Sequence, residues 1–398
     1  RQDHEMVLHK RRGVHDIRSS SLHIFFRRFP SLLRQDFLSY QNILVRAMAT
    51  TEISVRTASA KAIRSTLELL NSPLESSIRD LYKMISQLLS NDDFPLTISF
   101  MEAILMIFKR KYSPVGILHF KDPMIRRFSP QATEETRPLY RLIPLVYRAS
   151  PEVFAITHLR GIFNVYNTYL QRFQSHRTEV CSSIGDLGFQ MAETVRSSLD
   201  FSNIIQLLED KIDCPEAAYA YLSLVTPKDK NYTMGIQRVF ELSICSLIAL
   251  GLSTFVNRYP DQSLLIHQHI INVTNEILMR ESSVDNQIQA LKILRMFDFK
   301  DGLLSKDLIS HHAMFLRSTV LALKRQTSLF LLKQKSGIEN IILGFVMTED
   351  DEDLRLSVFK NVSVKHCSNY LISLAHDSNQ EIRFEAIKKL CIIDEVSD

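Results

Sequence analysis

Apolar residues recur three and four positions apart along most of this chain, the spacing that gives an α-helix one oily stripe. From Val14 to Phe29 the stripe is Ile17, Leu22, Ile24, Phe25 and Phe29, closed by Pro30. Further helices are predicted over about 32–48 and 52–70, with Pro73 closing the block, and over 74–90 and 94–111, where Asn91-Asp92-Asp93 makes the turn. Residues 112–138 hold four prolines and Gly116 without a sustained period and read as an irregular loop. The pattern resumes at Leu139 and predicts helices over about 152–173, 176–196 and 200–211. A second irregular stretch, about 212–233, contains Pro215, Pro227 and Lys228-Asp229-Lys230. Helices are then expected near 235–257, 260–280, 284–298, 304–317, 319–334, 336–347, 352–362, 364–376 and 379–391.

The last stretch repeats itself. Asp377 stands five residues before Ile382-Arg383, and Phe384, Ala386, Ile387, Leu390 and Cys391 follow; Glu349, Leu354-Arg355 and Val358 repeat the arrangement 28 residues earlier. An acid at a turn can cap the free amides of a helix start. The acid, five-residue spacing and aliphatic-Arg pair resembles the second helix of a HEAT repeat. Ile17-Arg18 and Val55-Arg56, 38 residues apart, sit close to the period of about 40 expected of such a unit. Each helix pair alone leaves an apolar face wet, and stacking pairs buries those faces in one core. The expected fold is therefore all-α, an α-solenoid of HEAT-type antiparallel helix pairs. Its blocks are 1–111, 139–211 and 234–398, joined by the loops 112–138 and 212–233. Arg18, Arg56, Glu349, Arg355, Asp377 and Arg383 are its expected caps and ladder residues, each arginine bonding an acid or carbonyl of a neighbouring repeat.

Composition agrees with an array. A chain of 398 residues exceeds the size at which one core stops growing. Apolar residues make up 45%, charged residues 23%, and glycines number only 10, too few for an all-β fold rich in tight turns. The net charge of +4 is unevenly spread: residues 1–128 hold 20 Lys and Arg against 12 Asp and Glu, and residues 129–398 hold 28 against 32. A basic first third can attract nucleic acid, acidic lipid or an acidic protein surface, whereas a scattered basic excess is ordinarily a solvated helix surface. The start at Arg1, without methionine, and the end inside a helical pattern read as a piece of a longer protein.

Candidate chemistry is sparse. No glycine-rich phosphate loop and no kinase catalytic-loop pattern occurs. His267 and His269 stand two apart, and His311 and His312 are adjacent, so neither pair converges on one helix face as a metal requires. The acidic run Glu349-Asp350-Asp351-Glu352-Asp353 lacks the glycine and spacing of a calcium loop. Cys181, Cys214, Cys245, Cys367 and Cys391 are odd in number and lack C-x-x-C spacing, as expected of reduced thiols in the cytosol. Leu242–Val256, uncharged but only 15 residues long, is too short to cross a bilayer and is expected as a fully buried inner helix. No catalytic, cofactor or metal residue is assigned.

Four stretches are similar to the amino-terminal HEAT region of the target-of-rapamycin (TOR) protein kinases. They are 15–30 with Ile53-Ser-Val-Arg56, Leu139 to Phe154, Val239-Phe240 with 244–250, and Ile288 to Phe299 leading into the repeats of 349–391. The resemblance implies a curved arm far from a carboxy-terminal kinase domain, docking a Raptor-like subunit and supporting contact between protomers. Binding of an activating small GTPase is also within what it implies. Its partners would be proteins, with no nucleic acid and no transmembrane segment. The rival expectation is a HEAT-type transport or nucleic-acid-associated scaffold using the basic first third.

Overall fold

The computed structural model describes residues 42–47, isolated positions between 52 and 90, and 121–128, 139–149, 151–172, 174–280, 283–299, 304, 306–334 and 339–396. Every regular element among these residues is helical, and the chain divides into two compact units between Gly235 and Ile236. Arg18 and Arg56 lie outside the described residues, as do most of the helices expected before residue 112.

In the first unit the helices are α1 (Lys121–Arg127), α2 (Leu139–Ala149), α3 (Ile156–Arg172), α4 (Arg177–Gln190), α5 (Glu193–Arg196), α6 (Ser202–Glu209) and α7 (Pro215–Leu224). They form two layers. Helices α2, α4 and α7 lie side by side, while α3 and α6 pair with each other and fold back on α4 and α7. Aromatic rings fill the space between: Phe128 meets Tyr166 at 5.2 Å, Tyr140 meets Tyr169 at 5.1 Å, and Phe163 meets Phe201 at 4.8 Å, all near edge-to-face. That geometry sets positive ring edges against negative ring faces. Helix α4 approaches α7 through Gly185 and Gly188. A Cβ on Gly185 would stand 2.2 Å from Tyr219 Cδ1, and one on Gly188 would stand 2.9 Å from both Leu224 Cδ2 and Ser223 Oγ.

Pro144 lies inside α2 and has no amide hydrogen, so the Tyr140 carbonyl four residues earlier loses its helical donor. The Ser183 hydroxyl of α4 supplies the missing bond. Having spent its hydrogen there, Ser183 Oγ accepts from the Tyr166 hydroxyl of α3, 2.5 Å away. One buried serine thus joins three helices.

Helix α8 (Tyr232–Glu241) crosses the division between the units. The second unit continues with α9 (Ser246–Arg258), α10 (Ser263–Met279), α11 (Val284–Leu294), α12 (Lys306–Ala313), α13 (Leu321–Lys333), α14 (Glu339–Val346), α15 (Glu352–Asn361), α16 (Val364–Leu374) and α17 (Gln380–Val396). Odd-numbered helices α9, α11, α13, α15 and α17 contact one another in sequence as one layer. Helices α10, α14 and α16 pack against them as the other, with α12 and the 3-10 turn Met314–Arg317 against α13 and α14. Contacts between helix i and both i+1 and i+2 are what a stack of hairpins requires. The fold is all-α, of α-solenoid type, built from antiparallel helix pairs.

Basic side chains seal helix ends across these layers. Arg196 donates to the Ser223 and Leu224 carbonyls, Lys333 Nζ to the Arg295 carbonyl at 2.6 Å, and Lys389 Nζ to the Phe359 carbonyl at 2.9 Å and to that of Val362. The last carbonyls of a helix lack internal donors and carry the negative end of its dipole, so a cation there meets both needs.

Four sequence expectations are corrected. The stretch 212–233 is not an irregular loop, because it contains α7, and helix α1 likewise lies within 112–138. The helix expected over 235–257 is two, α8 and α9, separated at 242–245. The run Leu242–Val256 is consequently no fully buried helix: its first four residues are not helical, and Ser243 and Ser246 are exposed.

Candidate functional site

The repeated positions of the last two pairs meet along one set of turns. Arg355, on the first turn of α15, donates through Nη1 to the Glu349 carbonyl at 2.7 Å and through Nη2 to Asp377 Oδ1 at 3.3 Å, with both side chains largely buried. Arg383, 28 positions later, donates through Nη1 to the carbonyls of Asp377 at 2.8 Å and Ser378 at 2.7 Å. Each arginine therefore holds the turn six residues before it, and Arg355 also reaches the acid of the following repeat. Upstream, Lys324 of α13 bonds the Glu349 carboxylate, which occupies the position matching Asp377. Lys324–Glu349 and Arg355–Asp377 are successive rungs of a ladder across α13, α15 and α17.

The capping role expected of Glu349 and Asp377 falls to other residues. Asp351 Oδ1 accepts from the Leu354 amide at 2.5 Å and so caps α15; Asn379 Oδ1 accepts from the amides of Glu381 at 2.8 Å and Ile382 at 3.2 Å and caps α17. Asp377 sits too early, and its carboxylate closes the turn on the Asn379 amide at 2.8 Å. The physical reason is reach: a side-chain oxygen caps amides two or three residues ahead, not five. Changing Asn379 to Ala is expected to cost about 1 kcal/mol, within the usual span for a lost cap. Urea unfolding reads it, with Ser378→Ala as the near-neutral control; equal midpoints for the two variants would refute the assignment.

Groups with chemical potential are dispersed, and several are buried. His267 packs edge-on against Phe297 at 5.8 Å and Phe299 at 5.1 Å, while His269 stacks on Phe240 at 3.9 Å, so the two rings point to different neighbours. His312 is fully buried against Phe330, with ring centroids 5.2 Å apart, and neither of its nitrogens has a hydrogen-bond partner among the described residues. Burial, aided by neighbouring His311, lowers its pKa to about 4. Burial pushes the Cys181 thiol up to about 12 and raises Cys214 and Cys367 as well, so these sulfurs are poor nucleophiles near neutral pH. Asp186 is held above the usual carboxylate range by burial, against the opposing hydrogen bond from Tyr219 at 3.2 Å. Among the described residues no three of His, Cys, Asp and Glu gather as a metal site, and no helix is long and apolar enough to cross a membrane.

Stacked hairpins and a charged ladder in their turns define a helical-repeat scaffold. No family model and no curated protein matches the chain. Among solved structures it is similar to importin beta, at 12% identity and a TM-score of 0.43 over 92% of this chain and 53% of that one. The karyopherin Kap121p bound to the SUMO protease Ulp1p gives 11% identity and a TM-score of 0.42 over 89% and 45%. An engineered protein gives 13% and 0.36 over 88% and 87%. The chain spans about half the length of the importin and karyopherin chains.

Proposed function

We propose that the chain is a non-catalytic scaffold that presents helix surfaces to protein partners. The observation that carries this reading is the ladder through Lys324, Glu349, Arg355 and Asp377, which ties successive repeats together. A stiff, repeated surface suits binding, because a partner then loses little of its energy to ordering the site.

In its finer form the proposal is a segment of a TOR-type serine/threonine kinase, docking a Raptor-like subunit in growth signalling, supported by the four sequence stretches named above. The purified chain is expected to bind a Raptor-like subunit with a Kd of about 1 μM or tighter. It is also expected to transfer no phosphate from ATP to Ser/Thr peptides.

The second reading is a transport or nucleic-acid-associated scaffold, supported by the basic balance of residues 1–128. Kap121p is described bound to Ulp1p and to Nup53p, and on this reading the present chain would likewise take protein ligands. Titration with duplex DNA and RNA at several salt concentrations separates the readings. Sub-micromolar binding that falls by about one decade per decade of salt for each phosphate contacted would move the assignment to a nucleic-acid scaffold. Binding to neither nucleic acid nor a Raptor-like subunit would remove the TOR-type and nucleic-acid forms and leave the transport form.

A further inference from the structure

Helices α4 and α7 run side by side in the same direction, and their contacts keep one register. Arg177 donates through Nη2 to the Lys211 carbonyl at 2.5 Å, and its Nε lies 3.9 Å from Asp213 Oδ1. Further along, Gly185 abuts the Tyr219 ring, and Gly188 abuts Ser223 and Leu224. Each of these α4 residues thus faces a partner 34 to 36 positions later. Cys181 stands one turn before Gly185 and two before Gly188, on the stripe that meets α7, and is fully buried. At the same register it falls opposite the first turn of α7, whose N-cap is Cys214. Cys214 is half-buried and close enough that its thiolate charge acts on Cys181, as do the charges of Asp213 and Glu216. A disulfide spans only about 4 Å between Cβ atoms, so it needs helices that come close together, and the two glycines allow that approach.

We propose that Cys181 and Cys214 are a redox-modified pair, which oxidised glutathione, a small-molecule disulfide, converts to a disulfide pinning α4 to α7. Cys214, the more accessible of the two, loses its proton and attacks one glutathione sulfur, forming a mixed disulfide and expelling one glutathione thiolate. Cys181 then loses its proton and attacks the Cys214 sulfur, forming the bond between them and expelling the second thiolate. The two cysteines give up two electrons and two protons, and glutathione disulfide is reduced to two thiols that take both. Burial raises both thiols and makes the pair slow to react, so it answers sustained oxidation rather than a passing pulse. The bond closes a loop over α5 and α6 and removes freedom from the unfolded chain. It stands whichever partner the scaffold takes.

Incubating the whole chain with oxidised glutathione at about pH 8.5, where thiolates form, followed by alkylation and non-reducing peptide mapping, tests this. The expected product is a monomer lighter by about 2 Da, with the peptides carrying Cys181 and Cys214 joined. Its unfolding temperature should rise by at least about 5 °C, a shift that dithiothreitol abolishes. Cys214→Ser, at a half-buried position, should stay folded and show neither change. In urea, where the register is lost, the five cysteines should pair without preference. A native chain that stays reduced, stops at a glutathione adduct on Cys214, or pairs as indiscriminately as the unfolded one overturns the proposal. So does a linked chain that melts no higher than the reduced one, because the bond would then strain the two helices instead of fitting their register.

Discussion

Replacing Gly185 with leucine is expected to destabilise the chain by about 3 kcal/mol, the upper end of ordinary overpacking. Even a single carbon there would stand 2.2 Å from the Tyr219 ring, and that ring has no simple way out. Tyr219 is almost completely buried among residues of α7 that are themselves enclosed, and its hydroxyl is tied to Asp186. The change therefore forces α4 and α7 apart, and side chains on both helices lose their contacts together. Gly185→Ala should cost less, and Gly161→Ala, where a Cβ meets nothing within 4 Å, is the control and should stabilise slightly through higher helix propensity. Chemical unfolding followed by circular dichroism measures all three. A Gly185→Leu midpoint equal to the unaltered one would show that the two helices do not approach as described.

The second large effect is a loss of stability in acid traced to His312. Its pKa in the folded chain is about 4, against an ordinary value of 6.5, because protonation would place a charge among Phe330 and other buried groups. Between those values the unfolded chain takes up a proton that the folded chain refuses. Stability from this residue is thus complete above pH 6.5 and drains away as pH falls toward 4. At about 1.4 kcal/mol per pH unit, the difference integrates to on the order of 3 kcal/mol. His269 shifts in the same direction and Asp186 in the opposite one, so the comparison must be made between variants. His312→Leu should flatten the fall in urea midpoint between pH 7.5 and pH 4.5; an unchanged slope would assign the acid sensitivity to other groups.

Much of the second unit was legible in the sequence because its helices are amphipathic. Helices α11, α13, α15 and α16 begin and end within a few residues of the ranges expected from spacing alone. Helix α7 was not legible, for two physical reasons. Its residues Ala217 to Leu224 are all buried, so no polar face marks a period, and Pro215 looks like a breaker although it occupies the first helical turn, where a missing amide hydrogen costs nothing. The ladder was half legible. The spacing of Glu349 to Arg355 and Asp377 to Arg383 identified the residues, but their bonds across turns, and the true caps Asp351 and Asn379, depend on a backbone path that spacing does not contain.

The link from Ser183 to the Tyr140 carbonyl has a consequence for how this region assembles. A helix interrupted by proline borrows one of its structural bonds from a residue 43 positions downstream, so it remains incomplete until the later segment has arrived. In a nascent chain emerging in order, the Tyr140 carbonyl would be left to water until 177–190 arrives with the Ser183 hydroxyl.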